Sequence, residues 1–421
     1  MKPVARLHRR VLDAGALIVS LLACSGGERR IVDPVTGEAR VTVTVQANPE
    51  DASVAQQLGW TQGVPNAEIA LSLIDSSAPP VSFTAGAAGV VDLGLLKEGR
   101  YVVDARRVLS SQELTKVGAA GGAVGFAGSG VIEVSPNAKS FTVVIPASRR
   151  KSLIFNEVSW RVGYIGGQYY NDGGYFELYN NSDTTVYLDG VTIGFGFIWV
   201  EEGLITCAQG AYMRNDPGGI WSIEDEMFPG TGHDYPLRPG QIVTVAQDAI
   251  DHNAISPGMP DLTNADFEFS GPADVDNPTV PNMIDRSYES FNPHGLPHNA
   301  SSHTVFLALP VSLDTLPRVI DPSPGARRWW RFPASSILDA FSEKWVGLRV
   351  NYTPCPEMVN RAFSRGWGYF IGDDGVGSVD FKYSPARKVF SRTSDGRSIL
   401  QHTRSSPDDF VKGSVTPLRL Q

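Results

Sequence analysis

The stretch from Tyr175 to Gly194, YFELYNNSDTTVYLDGVTIG, consists of two alternating runs joined by a polar corner. Alternation with a period of two is typical of a β-strand with one buried face. The corner Asn181-Ser182-Asp183 consists of residues whose short side chains hydrogen-bond their own backbone. Similar short runs recur along the chain, and apolar spacing of the helical type is scarce. With 43 Gly and 29 Pro, the chain is therefore predicted to be mainly β.

Acidic residues outnumber basic residues in this chain. It has 45 Asp and Glu against 36 Lys and Arg, which gives a formal net charge of −9. Binding to nucleic acid needs clustered Lys and Arg that neutralise phosphates. The charge balance therefore argues against nucleic acid as a partner.

The N-terminus has the pattern of a targeting signal. The basic start MKPVARLHRR and the apolar run Ala14–Ala23, which is too short to span a bilayer, predict a signal peptide over residues 1–23. The run ends in LLAC, which resembles the lipobox of bacterial lipoproteins. This resemblance implies that a signal peptidase cuts before Cys24 and that Cys24 carries the lipids. The alternative is an ordinary secretory signal that contains a Cys.

The segment that follows the predicted cleavage site, residues 24–39, is polar and Gly-rich. This composition is typical of a flexible tether between an anchor and a folded domain. Lipids on Cys24 would make the membrane the first partner of the chain, and Ser25 is compatible with sorting to the outer membrane. We therefore expect an outer-membrane lipoprotein of the cell envelope.

Two cysteines remain after Cys24, at Cys207 and Cys355. In an oxidising periplasm they would be free to form a disulfide. Two buried thiols are the equal alternative.

Residues 40–148 are predicted to form the first folded unit, a small immunoglobulin-like β-sandwich. The run GRYVVDARR places Tyr101 and Val103 on one face of a strand. With Leu96 and Gly99 before them, they resemble the Leu-x-x-Gly turn and Gly-x-Tyr-x-Val strand of carboxypeptidase regulatory-like and collagen-binding B-type modules. This resemblance implies a stalk or spacer. The run GAAGGAVGFAGSG in this unit is expected to be a flexible loop, because it lacks the strand and helix that flank a phosphate-binding loop.

Residues 151–421 are predicted to form the second unit. The basic joint Arg149-Arg150-Lys151 separates it from the first unit, and we expect this joint to be open to proteases.

The second unit contains the elements I-x-N-E-V, Y-F-E-L-Y-N-N-S, V-Y-L-D-G-V-T-I and L-x-P-G-Q in this order. They resemble the lamin-tail domain, an immunoglobulin-like β-sandwich. The unit also resembles a family of uncharacterised Bacteroides lipoproteins, in which the same domain carries the segments found here at Ala246–His252, Asp261–Phe269 and Asp276–Met283. The end of the chain, Asp395–Phe410, fits that family too. The resemblance implies a lamin-tail-like sandwich with a large loop-rich insertion at 195–351.

Two carboxylates in this unit raise the question of acid–base chemistry. Glu177 shares a strand face with Tyr175 and Tyr179, and either their hydroxyls or neighbouring backbone amides are expected to hydrogen-bond it. Glu157 lies in the preceding strand. A catalytic reading pairs Glu157 with Glu177 as general acid and base, as glycosidases do. We favour a structural carboxylate, since the lamin-tail fold is usually non-catalytic. We therefore assign no catalytic residue.

The stretch from Pro239 to Asp285 contains no Lys or Arg but many acidic residues. Carboxylate oxygens suit calcium, although the regular calcium-loop spacing is absent. The weak candidate ligands are Asp261, Asp266, Glu268, Asp274 and Asp276. A solvated acidic surface without any cofactor is the favoured alternative.

Three histidines lie close together in the sequence, at His294, His298 and His303. Three imidazoles suit zinc, but these lie in a loop rich in Pro, Asn and Ser with no helix to align them. Ordinary solvated histidines are therefore the favoured interpretation.

One short helix is predicted near residue 340. Ser335 or Ser336 is a suitable N-cap, and Ile337, Phe341 and Trp345 follow at intervals of four. These three residues would form an apolar stripe that covers one edge of the sheet.

The preceding run RRWWRF contains the aromatic pair Trp329 and Trp330. Such a pair would either stack on sugar rings or pack in the core against the helix. Core packing is favoured, because burial is the commoner use of Trp.

These observations predict a lipid-anchored envelope protein of two β-sandwiches, with the binding face in the 195–351 insertion. Its expected role is non-catalytic: adhesion, scaffolding or capture of a protein or glycan. Two alternatives are a metal-dependent hydrolase with its site in the insertion and an accessory lipoprotein of an outer-membrane transporter.

Overall fold

The computed structural model of the chain describes most residues between Gly37 and Gly413. The described ranges are 37–74, 76–118, 122–159, 163–166, 168–170, 172–196, 210–271, 275–286, 303–320, 328–346, 359–366, 369–372 and 384–413.

The N-terminal part has eight strands, which form two facing sheets. The strands are β1 (Glu38–Ala47), β2 (Glu68–Leu73), β3 (Val81–Thr84), β4 (Val90–Lys97), β5 (Gly99–Val108), β6 (Ala123–Val134), β7 (Ser140–Ile145) and β8 (Ala147–Arg149). One sheet has the order β4-β1-β7 and the other has the order β3-β2-β5-β6-β8. Together they form a β-sandwich, which we call the first sandwich.

The core of the first sandwich follows the alternation in the sequence. Val41, Val43 and Val45 of β1 are fully buried, and the threonines between them are partly exposed. Tyr101 and Val103 of β5 point into the same core. The predicted period of two therefore holds in this part of the chain.

The Gly-rich run predicted as a loop forms much of β6, so this prediction is wrong. Phe126 within it is fully buried. The glycines allow another part of the chain to approach closely. A Cβ atom on Gly125 would lie 2.3 Å from the ring of Phe390, and one on Gly128 would lie 3.3 Å from a carboxylate oxygen of Asp408. The run is rich in glycine because the C-terminal part of the chain packs on this strand.

The rest of the chain contributes twenty strands to the described structure. They are β9 (Leu153–Ser159), β10 (Gly163–Ile165), β11 (Gln168–Tyr170), β12 (Tyr175–Asn180), β13 (Val186–Tyr187), β14 (Thr192–Gly196), β15 (Gly219–Met227), β16 (Pro236–Leu237), β17 (Ile242–Ala246), β18 (Phe267–Glu268), β19 (Ile284–Asp285), β20 (His303–Ala308), β21 (Arg318–Ile320), β22 (Arg328–Pro333), β23 (Ile337–Val346), β24 (Tyr369–Gly372), β25 (Ser384–Arg387), β26 (Val389–Arg392), β27 (Ser398–Leu400) and β28 (Phe410–Gly413).

Two large sheets form the second sandwich. One has the order β18-β17-β12-β9-β25-β28, and the other has the order β21-β22-β15-β14-β20-β23-β24 with β19 beside β15. Phe176 and Leu178 of β12 point into the core between them, and Tyr175 and Tyr179 lie on the opposite face of the strand. The prediction of a mainly β chain with β-sandwich architecture is confirmed.

The segment 195–351 is not a loop-rich insertion. Its described residues supply β15 and β19–β23 of one sheet and β17 and β18 of the other. The prediction is wrong because several of these strands, such as β17 and β20, are buried on both faces, so they lack the alternation that marked the others. The segment builds the sandwich and is not an addition to it.

The helix predicted near residue 340 is the strand β23. It pairs antiparallel with β20 and parallel with β24. Ile337, Phe341 and Trp345 are four residues apart, and a spacing of four also places residues on one face of a strand. The apolar spacing therefore does not distinguish a helix from a strand. Pairing with β20 and β24 makes this segment a strand.

Trp329 and Trp330 are both buried, on opposite faces of β22. Trp330 packs with Ile220 and Phe332, and Trp329 packs with Trp221. Core packing is therefore confirmed, although the segment predicted as the partner helix is the strand β23, and the helical partner of Trp329 is Met213 of the short helix at Ala211–Arg214.

The described helices are short. They are α1 (Ala52–Gln57), α2 (Ser111–Val117), α3 (Ala211–Arg214), α4 (His252–Ile255) and α5 (Ser406–Asp409). Ser110 and Glu113 form a reciprocal capping box at the start of α2. Within the described ranges, no helix has the length and apolar character needed to cross a membrane.

The joint between the sandwiches is structured, contrary to the sequence prediction. Ala147 and Ser148 of β8 are fully buried. The Arg149 N–H donates to the carbonyl of His402 (2.8 Å), and the Arg150 N–H donates to that of Gly122 (2.8 Å). The joint therefore consists of the end of β8 and two residues that follow it, and backbone bonds from Arg149 and Arg150 hold it in place.

We expect trypsin to leave this joint intact in the folded protein. Cleavage after Arg149, Arg150 or Lys151 needs an extended, accessible chain, and β8 would have to leave its sheet first. Mass spectrometry of a limited digest should find no fragment that ends at these residues. The same digest in urea should produce such fragments and serves as the control. A native fragment that ends at the joint would contradict this prediction.

Candidate functional site

The two carboxylates singled out from the sequence meet in the second sandwich. Glu157 of β9 and Glu177 of β12 are direct cross-strand partners. Their exposed fractions are 1% and 0%. The catalytic reading required a substrate to reach this pair, and this degree of burial closes it to substrate.

Each carboxylate has its own donor. The Tyr175 hydroxyl donates to Glu157 Oε1 (2.7 Å), and the Ser384 hydroxyl donates to the same oxygen. The Asn156 amide donates to Glu177 Oε2 (2.8 Å). The expected donation from tyrosines to Glu177 is wrong, since β9 has a bulge that brings Asn156 beside Glu177 instead.

Burial raises the pKa of Glu157 to about 7. The bonds from Ser384 and Tyr175 lower this pKa, and the nearby charge of Glu177 raises it again. A buried carboxyl that holds its proton near neutral pH makes stability depend on pH.

We expect Glu157 to destabilise the fold as the pH rises. Its pKa is about 7 when folded against 4.5 for the ordinary group, so the folded protein binds the proton more tightly. The stability that this adds is complete below the unfolded pKa and is lost as the pH rises through 7. The loss should be about 3 kcal/mol in the free energy of unfolding. Urea unfolding between pH 5 and 8 measures it.

The variant Glu157→Gln should remove the part of this pH dependence that Glu157 contributes, because the amide oxygen keeps an acceptor for Tyr175 and Ser384 without the charge. The other buried carboxyls whose pKa burial raises, Asp225, Glu226 and Asp409, should keep their contributions. The exposed Glu133→Gln is the matched control and should follow the wild type. Parallel pH profiles for the wild type and Glu157→Gln would show that Glu157 is not the group responsible.

The acidic residues considered for calcium do not converge in the described structure. Three of them accept from separate nearby donors: Asp261 from the Thr263 N–H, Asp266 from the Thr244 N–H and Asp276 from the Asn282 amide. Such bonds are typical of carboxylates that shape loops.

The fourth candidate, Glu268, is a buried hub. Its two oxygens accept from the N–H groups of Ala249 (2.8 Å) and Asn277 (2.9 Å), and the Asn277 amide donates to the Ala249 carbonyl (2.8 Å). These bonds join the segments Ala246–His252, Asp261–Phe269 and Asp276–Met283. Glu268 therefore has a structural use here.

Several predicted site residues lie outside the described ranges: Cys24, Cys207, Cys355, Asp274, His294 and His298. Among the described residues, no three His, Cys, Asp or Glu side chains are grouped in a way that would hold a metal ion. Lipidation, the disulfide and calcium binding stay predictions.

A cleft of about 490 Å³ lies between the sandwiches, and the sequence analysis did not predict it. Its floor is the outer face of the sheet that contains β2, β3, β5 and β6. Two cross-strand rows form this floor: Thr84, Glu68, Arg106 and Ala127 in one, and Ser82, Ala70 and Asp104 in the other.

The wall of the cleft comes from the second sandwich, with Lys388, Val389, Gln401 and Val411. Three bonds fix the wall to the floor. Arg106 Nη1 donates to the Phe390 carbonyl (2.9 Å), Lys388 Nζ donates to Asp104 (3.4 Å), and the Ser129 N–H donates to Asp408 (2.8 Å). The cleft is therefore preformed by the packing of the sandwiches.

The lining of the cleft is mixed in character. The charges of Glu68 and Arg106 form an ion pair across the floor. Ala70 leaves space between the strands, and Val389 and Val411 present exposed apolar surface. Small residues, apolar surface and paired charges suit recognition of a ligand by shape and hydrogen bonds.

The sequence pattern indicates the floor of this cleft but not its wall. Alternation along β2 and β5 places Glu68, Ala70, Asp104 and Arg106 on one outward face. The residues of the wall follow about 280 positions later in the chain, and no local pattern links them to this face.

No protein-family model matches the chain, and no curated protein matches it. Solved structures similar to it include a DUF4876 family protein from Bacteroides thetaiotaomicron, with 17% identity over 90% of this chain and 96% of that chain and a TM-score of 0.49. They also include a DUF3823 family protein from Parabacteroides merdae, with 9% identity over 71% of this chain and 97% of that chain and a TM-score of 0.18. A candidate adhesin from Bacteroides ovatus is similar too, with 9% identity over 72% of this chain and 86% of that chain and a TM-score of 0.18. These likenesses assign no function to the chain.

Proposed function

We propose that this chain is a non-catalytic binding protein of the bacterial cell envelope and that the cleft between its sandwiches holds the ligand. The observation that carries the proposal is a cleft of about 490 Å³ whose floor and wall come from different sandwiches and are bonded together. A preformed cleft lowers the entropic cost of binding.

The lining supports binding over catalysis. None of the described residues around the cleft is His or Cys, and its acidic and basic side chains are paired with each other. General acid–base catalysis needs a group that can exchange its proton with a substrate. The pair of Glu157 and Glu177 is also buried, on the face of β12 that points away from the core between the two sheets.

The anchor and the first sandwich complete this proposal. Lipids on Cys24 would hold the chain on the outer membrane through the polar tether. The strand β1 has 10 residues, so it extends about 33 Å and would place the cleft away from the anchor. The first sandwich would then act both as spacer and as the floor of the site.

The finer resemblances belong to the same proposal. We infer a carboxypeptidase regulatory-like first sandwich and a lamin-tail-like second sandwich. The sequence elements of the lamin-tail resemblance fall in or next to β9, β12, β14 and β17, which gives this inference its support.

Filling the cleft should abolish binding. Ala70 lies in the floor, so Ala70→Trp would occupy the space between Ser82 and Asp104. We expect the whole wild-type chain to bind members of a panel of soluble oligosaccharides and short peptides, and Ala70→Trp to lose at least tenfold in affinity for them. Fluorescence polarisation or a printed array measures this.

Val131→Trp is the matched control. Val131 is exposed on the same sheet face, one row beyond the cleft, and this variant should bind like the wild type. Equal binding by Ala70→Trp and wild type would remove the cleft from the proposal. A wild-type chain that binds nothing in the panel would count against the binding role.

The anchor has its own test. The full chain with its signal should fractionate with the outer membrane and carry the mass of attached lipid. Cys24→Ala should stay uncleaved or appear in the soluble periplasmic fraction, because no thiol remains to be alkylated. Unchanged fractionation and mass in Cys24→Ala would refute the lipobox.

A further inference from the structure

Four cationic side chains gather at the junction of the two sandwiches: Arg149, Lys151, Arg365 and Arg404. The backbone brings them together, because the Arg149 N–H donates to the His402 carbonyl (2.8 Å) and the Arg365 N–H donates to the Arg404 carbonyl (2.8 Å). Arg404 lies in the electrostatic field of Arg149 and Arg365, and Lys151 lies in that of Arg404. In a chain of net charge −9, this is a local concentration of positive charge.

Two of the four cations have a carboxylate partner. Arg149 Nη2 binds the buried Asp51 (2.5 Å), and Arg365 Nη1 binds Glu50 (3.0 Å). Asp51 also accepts the Ala147 N–H, so each of its two oxygens has a donor.

Lys151 and Arg404 form no ion pair within the described part of the chain. Arg404 donates from Nη1 to the Ala362 carbonyl (3.1 Å), and its buried Nε has no acceptor there. Asp339 favours the charge of Lys151, but it is already bound by Arg387 (2.5 Å). Among the described residues, the carboxylates of this cluster therefore leave Lys151 and Arg404 without an ion pair.

This excess of charge is costly for the fold. Burial lowers the pKa of Lys151 and of Arg404, and repulsion from neighbouring arginines lowers each further. Both side chains are half-buried, so they are reachable from solvent. An anion that enters from solvent would remove the repulsion.

The backbone of Arg404 is strained as well. Its φ is +62°, in the left-handed region, and the other described non-glycine residue there is Asn66, a type that tolerates it. Strain of this kind persists where surrounding structure imposes it, and it is common at binding sites. Here the Arg365 N–H, which donates to the Arg404 carbonyl, helps to hold this backbone in place.

We propose that Lys151 and Arg404 bind an oxyanion of the phosphate or sulfate type at this junction. Two unbalanced positive charges suit a doubly charged anion. A guanidinium donates two parallel N–H groups to such an anion, and an ammonium adds a third donor from another direction. This site is separate from the cleft and does not depend on the function proposed for it.

Inorganic phosphate is the probe. Titration calorimetry on the whole wild-type chain should show one phosphate bound per chain. The thermal unfolding midpoint should rise by about 2–5 °C at phosphate concentrations well above Kd, since the ligand binds only the folded form. Lys151→Met should weaken binding at least tenfold.

Arg404→Gly separates binding from stability. Glycine adopts the left-handed region freely, so this variant should unfold at the wild-type midpoint or above it in phosphate-free buffer. It should also lose the rise that phosphate causes in the wild type. A variant that folds at least as well but no longer responds to phosphate assigns the response to the side chain.

The control is Arg100→Met, which removes one exposed charge at the start of β5. Phosphate stabilises most proteins weakly through exclusion from their surface, and this control should keep both that effect and the specific rise. Equal midpoint rises in the wild type, Lys151→Met and Arg404→Gly would overturn the proposal. The absence of any heat of binding in the wild type would also overturn it.

A second arm of the same titration tests where the oxyanion comes from. Inorganic sulfate and a sulfated oligosaccharide present the same group, one as a free ion and one on a glycan. Tighter binding of the saccharide would assign the site to an acidic glycan, and equal affinity would assign it to a small anion. Loss of either in Arg404→Gly ties it to this site.

Discussion

The second sandwich depends on the interactions of one buried residue, Arg387. Its guanidinium is almost fully buried, binds Asp339 (2.5 Å) and lies near Asp409 (3.5 Å), and also donates to the Phe155 carbonyl (2.5 Å). These contacts join β9, β23, β25 and the segment before β28. Burial raises the pKa of Asp409 and opposes the charge of Asp339, whose pKa Arg387 and its neighbours nevertheless hold low. Loss of one partner in such a network typically costs about 3–5 kcal/mol, because a buried charge is left alone.

The same network leads to the contact between the sandwiches. His402 lies 3.3 Å from Asp339, and its carbonyl accepts the Arg149 N–H of β8. Close by, the glycines of β6 allow Phe390 and Asp408 to reach the strand. The cleft and the cationic junction both result from this contact. A spacer with an exposed hinge would have neither, so both features depend on the closed joint.

Several buried carboxylates that the sequence suggested for catalysis or metal binding have structural roles in the fold. Glu268 joins three loops through backbone N–H groups, and Glu157 and Glu177 are satisfied by a tyrosine, a serine and an asparagine. A buried carboxylate is costly unless it is hydrogen-bonded. Residues of this kind therefore recur where a fold needs them, and their presence alone does not indicate chemistry.

The sequence by itself determined the mainly β class, the alternating cores of β1, β5 and β12, and the burial of Trp329 and Trp330. These properties depend on local periodicity, which the chain carries residue by residue. Tertiary structure alone decided that Ile337–Val346 is a strand, that the Gly-rich run is β6, and where the cleft and the cations lie. A spacing of four fits a helix and a strand equally. The clefts and clusters join residues hundreds of positions apart, and only packing brings such residues together.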